Sequence, residues 1–147
     1  MNNLDHVVSR AWDSGSRRSA PVIRLRVFRE EEDSVKQSAI VSSMLELVHH
    51  HYADADLSLN TVARHMLYMN PDYLGKMFKK DTGLNFSQYL NQYRIRQACS
   101  YIQQEDEDVR IFELAEWFGF GGNSGYFSQV FKRWTGMTPS HYKRRAR

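Results

Sequence analysis

Apolar residues fall at helical spacing along most of this chain. Leu59, Val62, Ala63 and Met66 stand at i, i+3, i+4 and i+7, and Ile111, Leu114, Ala115 and Phe118 repeat that spacing further on. Behind the first set, Tyr73, Leu74, Met77 and Phe78 mark another amphipathic helix. Behind the second, Tyr126, Phe127 and Phe131 mark its counterpart. An earlier helix from Lys36 to about Tyr52 places Ile40, Met44, Leu47, Val48 and His51 on one face. A longer one, from about Ser87 to Gln104, carries Tyr89, Leu90, Tyr93, Ile95, Ala98, Cys99 and Ile102. The pattern predicts an all-α protein.

Local signals set the helix ends. Ser58 is the expected N-cap of one helix, with Leu57 placed to staple against Val62. Asn70-Pro71 pairs an N-cap with proline at the first helical position. Gly83 and Gly136 are stop signals, and Pro139 opens a short basic final helix with Lys143, Arg144, Arg145 and Arg147 near its end. Val109 repeats the staple with Leu114. Arg110 is a poor cap where the first copy has Ser58, so this helix is expected to fray or to borrow Asp108.

These correspondences belong to one repeat. Tyr73 to Leu84 matches Tyr126 to Met137 at a constant offset of 53 positions, with Tyr, Phe, Lys, Thr and Gly in register. Ser87 and Tyr89 extend the match to Ser140 and Tyr142. One helix-turn-helix unit, about 57–83, has been used again at about 109–136, with a linker helix of about 86–104 between them.

Residues 1–37 break the pattern. Ser14 to Ser19 is polar, Arg29 to Asp33 is a run of charges, and Ile23 to Val27 alternates apolar and basic residues as a half-buried strand does. The region reads as a flexible arm or linker with one short ordered piece, ahead of a domain at 38–147.

Composition narrows the function. The 147 residues are 41% hydrophobic and 13% aromatic, enough for a folded core. A net charge of +3 suits nucleic acid without demanding it. The single cysteine, Cys99, excludes an internal disulfide and a thiolate metal cluster. No apolar run is long enough for a membrane span, and no signal-peptide core follows Met1, so a reducing cytoplasm is the expected setting. No catalytic constellation and no cofactor motif is present. Gly119-Phe120-Gly121-Gly122 lacks the Lys-Ser/Thr of a phosphate loop, and His49-His50-His51 splays over different helix faces. Tyr73, Phe78, Trp117, Tyr126, Phe127 and Phe131 read as core aromatics, and Cys99 as a small core residue.

The second helix of a helix-turn-helix projects one face outward, and the major groove of B-DNA, about 12 Å wide, admits it. On that face the first copy offers Asp72, Gly75, Lys76, Lys79 and Lys80. The second offers Ser124, Gly125, Ser128, Gln129, Lys132 and Arg133. Residues on the first two turns are the expected base readers, with Lys76 suited to guanine and Gln129 to adenine. Lys79, Lys80, Lys132 and Arg133, basic at matched positions, are the expected phosphate contacts. A linker of some eighteen residues spans roughly 27 Å, against about 34 Å between successive major-groove faces. A single chain is thus expected to bind as a prefabricated dimer on an asymmetric site.

The second copy, with Gly119-Phe120, Tyr126-Phe127-Ser128, Phe131-Lys132 and Thr135-Gly136-Met137-Thr138-Pro139 leading to Tyr142, closely resembles the AraC/XylS-type transcription regulators. The first copy and Arg94-Ile95-Arg96-x-Ala98 resemble that family's first helix-turn-helix and linker helix. Leu67 to Lys76 resembles the branch found at the C-terminal end of two-component response regulators. The resemblance covers about 38–145. It implies seven helices, monomeric binding to promoter double-stranded DNA, and recruitment or repositioning of RNA polymerase. Both turns run one residue longer than in the family's shortest members. Counted back from Phe78 and Phe131, Asp72, Gly75 and Lys76, and Gly125, Ser128 and Gln129, occupy base-reading positions, of which Lys76, Ser128 and Gln129 are the better equipped. Residues 1–37 resemble no receiver or sugar-binding sensor, so either abundance alone regulates this chain or it is a fragment of something longer. The two glycines leave a rival reading: a helical protein-interaction module that kept the fold and lost DNA affinity.

Overall fold

A computed structural model describes residues 21–105 and 107–146, with side chains from residue 31 onward. The polar stretch Ser14 to Ser19, Asp106 of the acidic connection and the terminal Arg147 lie outside the described residues. Among those described, seven helices follow one another and no strand occurs: α1 (Pro21–His51), α2 (Leu59–Thr61, continued by a π-helical turn Val62–Met66), α3 (Pro71–Thr82), α4 (Phe86–Gln104), α5 (Ile111–Trp117), α6 (Ser124–Thr135) and α7 (Pro139–Ala146).

The strand expected at Ile23 to Val27 is instead part of α1, which makes residues 21–37 helical as well. A lone strand leaves both backbone edges unpaired, whereas a helix closes its hydrogen bonds internally. The inward face of α1 is also rotated from the expected one. Val41, Met44, Leu45 and Val48 are buried, Ile40 and Leu47 flank them, and His51 is exposed.

Two cores share α4. The first gathers Val41, Met44, Leu45 and Val48 with Leu57, Val62, Leu74, Phe78, Phe86, Tyr89 and Leu90. The second gathers Ile95 and Ala98 with Val109, Leu114, Phe118, Phe120, Phe127, Val130 and Phe131. The N-terminal half of α4 therefore serves one helix-turn-helix and its C-terminal half the other. At its start, Asn85 Oδ1 accepts from Gln88 N–H at 2.8 Å and Gln88 Oε1 accepts from Asn85 N–H at 3.2 Å, a reciprocal cap.

Arg94, at the middle of α4, joins the halves. It is only 6% exposed. Its Nε donates to Tyr52 O and its Nη2 to Asp54 O, both at 2.7 Å, so the fork holds the chain leaving α1. The guanidinium lies 5.6 Å from the centre of the Phe120 ring, which belongs to the second core. Burial lowers its pKa and the neighbouring Asp54 opposes that. Beside it Gly119 has φ +91°, and a Cβ there would stand 2.2 Å from Tyr52 O and 2.4 Å from Arg94 Nε. Tyr52 itself packs against both cores.

Lys143 of α7 pins the second unit, its Nζ donating to Asp108 Oδ1 at 2.7 Å and also to Val109 O. At the start of α5, Glu113 Oε2 accepts from Arg110 N–H at 3.3 Å, so the capping there reaches back from inside the helix.

Two outcomes are expected of these contacts. Arg94→Met leaves two carbonyls without their donor and should cost about 2–4 kcal/mol in urea denaturation. His49 stacks on Tyr93 at 4.6 Å, and burial, then His50, lower its pKa from 6.5, with Arg96 adding to this and Glu46 opposing. The unfolded chain then takes up this proton first. His49 should therefore cost stability as pH falls below about 6.5, levelling off beneath its folded pKa. His49→Phe keeps the stack and should flatten that part of the profile when urea midpoints are compared from pH 7.5 down to 5.5.

Candidate nucleic-acid interface

The second helix of each unit is built by the same local devices. In α3, Asn70 Oδ1 accepts from Asp72 N–H at 2.9 Å and Tyr73 N–H at 3.1 Å; in α6, Asn123 Oδ1 accepts from Tyr126 N–H at 3.0 Å. Both helices have 12 residues. Both stop at a left-handed glycine, Gly83 at φ 83° and Gly136 at φ 84°, whose N–H donates to Lys79 O or Lys132 O at 2.8 Å. Beside each stop a threonine hydroxyl lies 2.8 Å from the carbonyl four residues back, Thr82 to Phe78 and Thr135 to Phe131.

The turns share one such device, although the second is one residue longer from Ala115 to Asn123 than the first from Ala63 to Asn70. Leu67 N–H donates to Val62 O and Phe120 N–H to Ala115 O, each at 2.8 Å and each spanning five residues. The duplication seen in the sequence thus extends to backbone hydrogen bonds.

These devices fix which face turns inward. Leu74, Met77 and Phe78 of α3 are buried, as are Phe127, Val130 and Phe131 of α6. On the opposite face of α3, Asp72, Lys76, Lys79 and Lys80 are exposed and Gly75 is half-buried. On α6, Gly125, Gln129, Lys132 and Arg133 are exposed and Ser128 is half-buried. At 3.6 residues per turn, the five positions on each helix cover an arc of about 140°. Ser124, half-buried at the first helical position, lies outside that arc by rotation. The two arcs correspond residue for residue at the offset of the repeat. Three cations project from the first and two from the second, with Asp72 the single acid.

The two glycines differ. A Cβ on Gly75 would meet Leu59 Cδ2 at 3.0 Å, so this glycine lets α2 and α3 approach closely. A Cβ on Gly125 would meet nothing nearer than Asn123 Oδ1 at 3.7 Å.

Three aromatics expected in the core are not there. Tyr73 is 48% exposed, Trp117 46% and Tyr126 43%. In Tyr73-Leu74 and Tyr126-Phe127 only the second residue points inward, and its neighbour, about 100° away, lies on the flank. Trp117 packs edge-on against Tyr101 at 5.6 Å. Tyr126 leans on Phe120 at 5.8 Å, and its hydroxyl accepts from Asn91 Nδ2 at 3.1 Å, which seats the start of α6 against α4. Asn91 and Arg94 are the polar residues that sequence periodicity missed: both sit on the buried side of α4, where a helical pattern of apolar residues gives no signal for them. Cys99 is half-buried, and burial pushes its thiol pKa up, which suits a packing residue better than a reactive one. No cluster of three or more metal-ligating side chains occurs among the described residues, and no helix there is long and apolar enough to cross a membrane.

Comparison with known proteins agrees with this geometry. A helix-turn-helix domain family model matches residues 65–145. The chain is 44% identical over 123 residues to the uncharacterized transcriptional regulatory protein YesN of Bacillus subtilis, covering 82% of this chain and 33% of that protein. It therefore spans about a third of that relative's length. The C-terminal domain of AraT, a response regulator from Geobacillus stearothermophilus, superposes with a TM-score of 0.66 at 31% identity, over 72% of this chain and 84% of that one. The DNA-binding domain of AdpA, solved with a target DNA, shares the fold with a TM-score of 0.63 at 23% identity, over 71% and 90% of the two chains.

Gly125→Ala has room and sits in a helix, where alanine is favoured over glycine by roughly 0.5–1 kcal/mol. A thermal midpoint equal to or above that of the parent is the expected outcome. Gly136→Ala, at φ 84°, should instead lose about 1 kcal/mol.

Proposed function

The chain belongs to the AraC/XylS type of helix-turn-helix transcription regulators, and from that premise we propose that it reads a specific double-stranded DNA sequence by placing α3 and α6 in adjacent major grooves. The observation that carries the proposal is the pair of matched outward arcs: two helices, each capped by asparagine, stopped by a left-handed glycine and buried on the corresponding face, each presenting its reading positions on the early turns and cations on the last. In that arrangement Asp72, Gly75 and Lys76 face bases in one groove and Gly125, Ser128 and Gln129 in the other, with Ser124 at the rim. Lys79, Lys80, Lys132 and Arg133 meet phosphates beside the grooves. Gly75 contributes by close approach rather than by readout, since its missing side chain is what admits Leu59.

The linker supports the spacing. α4 has 19 residues, a rod of roughly 28 Å, and Arg94 ties the two units across it. A modest bend of the DNA, or a tilt of the helices, closes the difference from the 34 Å groove repeat. Because the arcs differ in chemistry, the site should be asymmetric, and one chain suffices to span it. Recruitment or repositioning of RNA polymerase is the proposed consequence of occupying a promoter. The chemistry is recognition alone, with no catalytic step, in the reducing cytoplasm.

Duplexes selected from a random pool supply the test. Affinity should fall steeply with salt as counterions leave the phosphates. Gln129→Ala should lose roughly 1–3 kcal/mol on the selected site and relax preference at one base position. Lys132→Ala should weaken all sequences alike and lower the salt slope by about one. A changed base preference in Lys132→Ala would contradict the division between readers and anchors. No duplex binding at low salt would sink the proposal and favour the protein-interaction reading.

A further inference from the structure

The turn of each helix-turn-helix holds a residue in the left-handed backbone region two positions before the asparagine that caps its second helix. In the second copy it is Gly121, at φ 58°; in the first it is Tyr68, at φ 53°. Glycine adopts this conformation freely, but a residue with a Cβ is strained there. Among the described residues Tyr68 is the one non-glycine with positive φ. The turn itself does not need an aromatic ring, since its second copy forms the equivalent five-residue hydrogen bond with glycine in that place.

Burial does not offset the strain either. Tyr68 is 82% exposed, the most open of the large apolar side chains among the described residues. The neighbouring backbone nonetheless holds it firmly. Leu67 N–H donates to Val62 O and Met69 N–H to Ala63 O, each at 2.8 Å, so hydrogen bonds fix the residues on both sides of it. Two residues on, Asn70 caps α3. A fixed backbone thus presents a large amphipathic side chain to solvent at the N-terminal end of α3, the end that carries Asp72, Gly75 and Lys76.

We propose that Tyr68 is a DNA-contacting residue, held by the strained turn so that its hydroxyl donates to a phosphate oxygen while its ring covers the adjoining deoxyribose. The inference rests on the DNA-binding reading above and adds to it a neutral anchor that the second copy lacks. A strained residue retained at a working surface is a recognised sign of function when neither packing nor the turn requires it. Tyrosine suits the edge of a groove because the ring is apolar and rigid while its tip forms hydrogen bonds. Its position just ahead of the reading turns favours nucleic acid over a protein partner, which would have to reach the same end of α3 that the groove occupies.

The intact chain and a duplex selected from a random pool provide the experiment, read by fluorescence anisotropy across a salt series and by thermal unfolding. Tyr68→Gly should raise the thermal midpoint by about 2–5 °C as the strain is released. It should also weaken binding about tenfold, on selected and random duplexes alike. The slope of affinity against salt should stay unchanged, because a neutral side chain releases no counterions. Tyr68→Phe keeps the strain and the ring, so its midpoint should not move while affinity falls about threefold. Tyr68→Gly binding within twofold of the parent would overturn the inference and leave the DNA-binding reading standing. A lowered midpoint accompanying the loss would overturn it too, by showing that the ring packs rather than contacts. A parent chain that binds no duplex removes both together.

Discussion

The arrangement of this protein depends on the buried guanidinium of Arg94. Two helix-turn-helix units with separate cores are related through α4 and the side chains that bridge them, Tyr52 and the Asn91–Tyr126 pair among them. Arg94 is the central bridge, closing on Tyr52 O and Asp54 O of the first unit while lying against Phe120 of the second. An isolated buried cation is unfavourable, yet two carbonyl acceptors and an aromatic face compensate it, and lysine has no planar fork to serve both carbonyls. Gly119 completes the joint, because any side chain there would collide with the same carbonyl and the same guanidinium. On the proposed reading of two grooves at once, the joint is as consequential as the readers. An error of a few ångströms between α3 and α6 would leave one of them outside its groove.

What the sequence made legible was whatever a local rule governs. Ser58, whose Oγ accepts from Thr61 N–H at 3.1 Å, Asn70, Gly83 and Gly136 do what their residue types predict. The repeat announced two equivalent units, and each turn holds a backbone hydrogen bond of 2.8 Å that spans five residues. What it hid was set by packing between elements. Val41 and Leu45 took the inward face of α1 in place of His51, because the partner surfaces of α3 and α4 select which of several apolar stripes is used. Tyr73 and Tyr126 looked like core at helical spacing, yet each lies about 40° outside the arc that Leu74, Met77 and Phe78, or Phe127, Val130 and Phe131, turn inward. The buried roles of Asn91 and Arg94 carry no periodic signal, since each depends on an acceptor tens of residues away in the chain. The alternation at Ile23 to Val27 suggested a strand, but nothing in an all-helical protein offers a strand an edge to pair with.

The outward residues were legible for a different reason. Once Phe78 and Phe131 are fixed as core, helical geometry dictates where residues two, three and six positions earlier must lie. The exposure of Lys76 and Gln129 is therefore a consequence of the scaffold, while their proposed roles rest on their chemistry. The structure separates them from Gly75, which has the right position but is engaged with Leu59. It also shows where the copies differ: Gly75 against Ser128, Lys76 against Gln129, and Tyr68 against Gly121.

That difference bears on how such a protein can be specific without a partner copy. In a symmetric dimer both recognition helices carry the same residues, and the site must be a palindrome. Here duplication within one chain releases each helix to diverge, provided that caps, stops and the central joint are kept. The two units carry equal charge on their last turns, Lys79 and Lys80 against Lys132 and Arg133, while in the first a close helix approach at Gly75 gives up a reading side chain. The second has Ser128 and Gln129 in the corresponding reading positions and an unstrained glycine turn. On the proposed reading the two units anchor to phosphates alike and the second supplies more of the discrimination. Its physical basis is that phosphate contacts fix register without sequence information, whereas side-chain amides and hydroxyls meet base edges in distinguishable patterns.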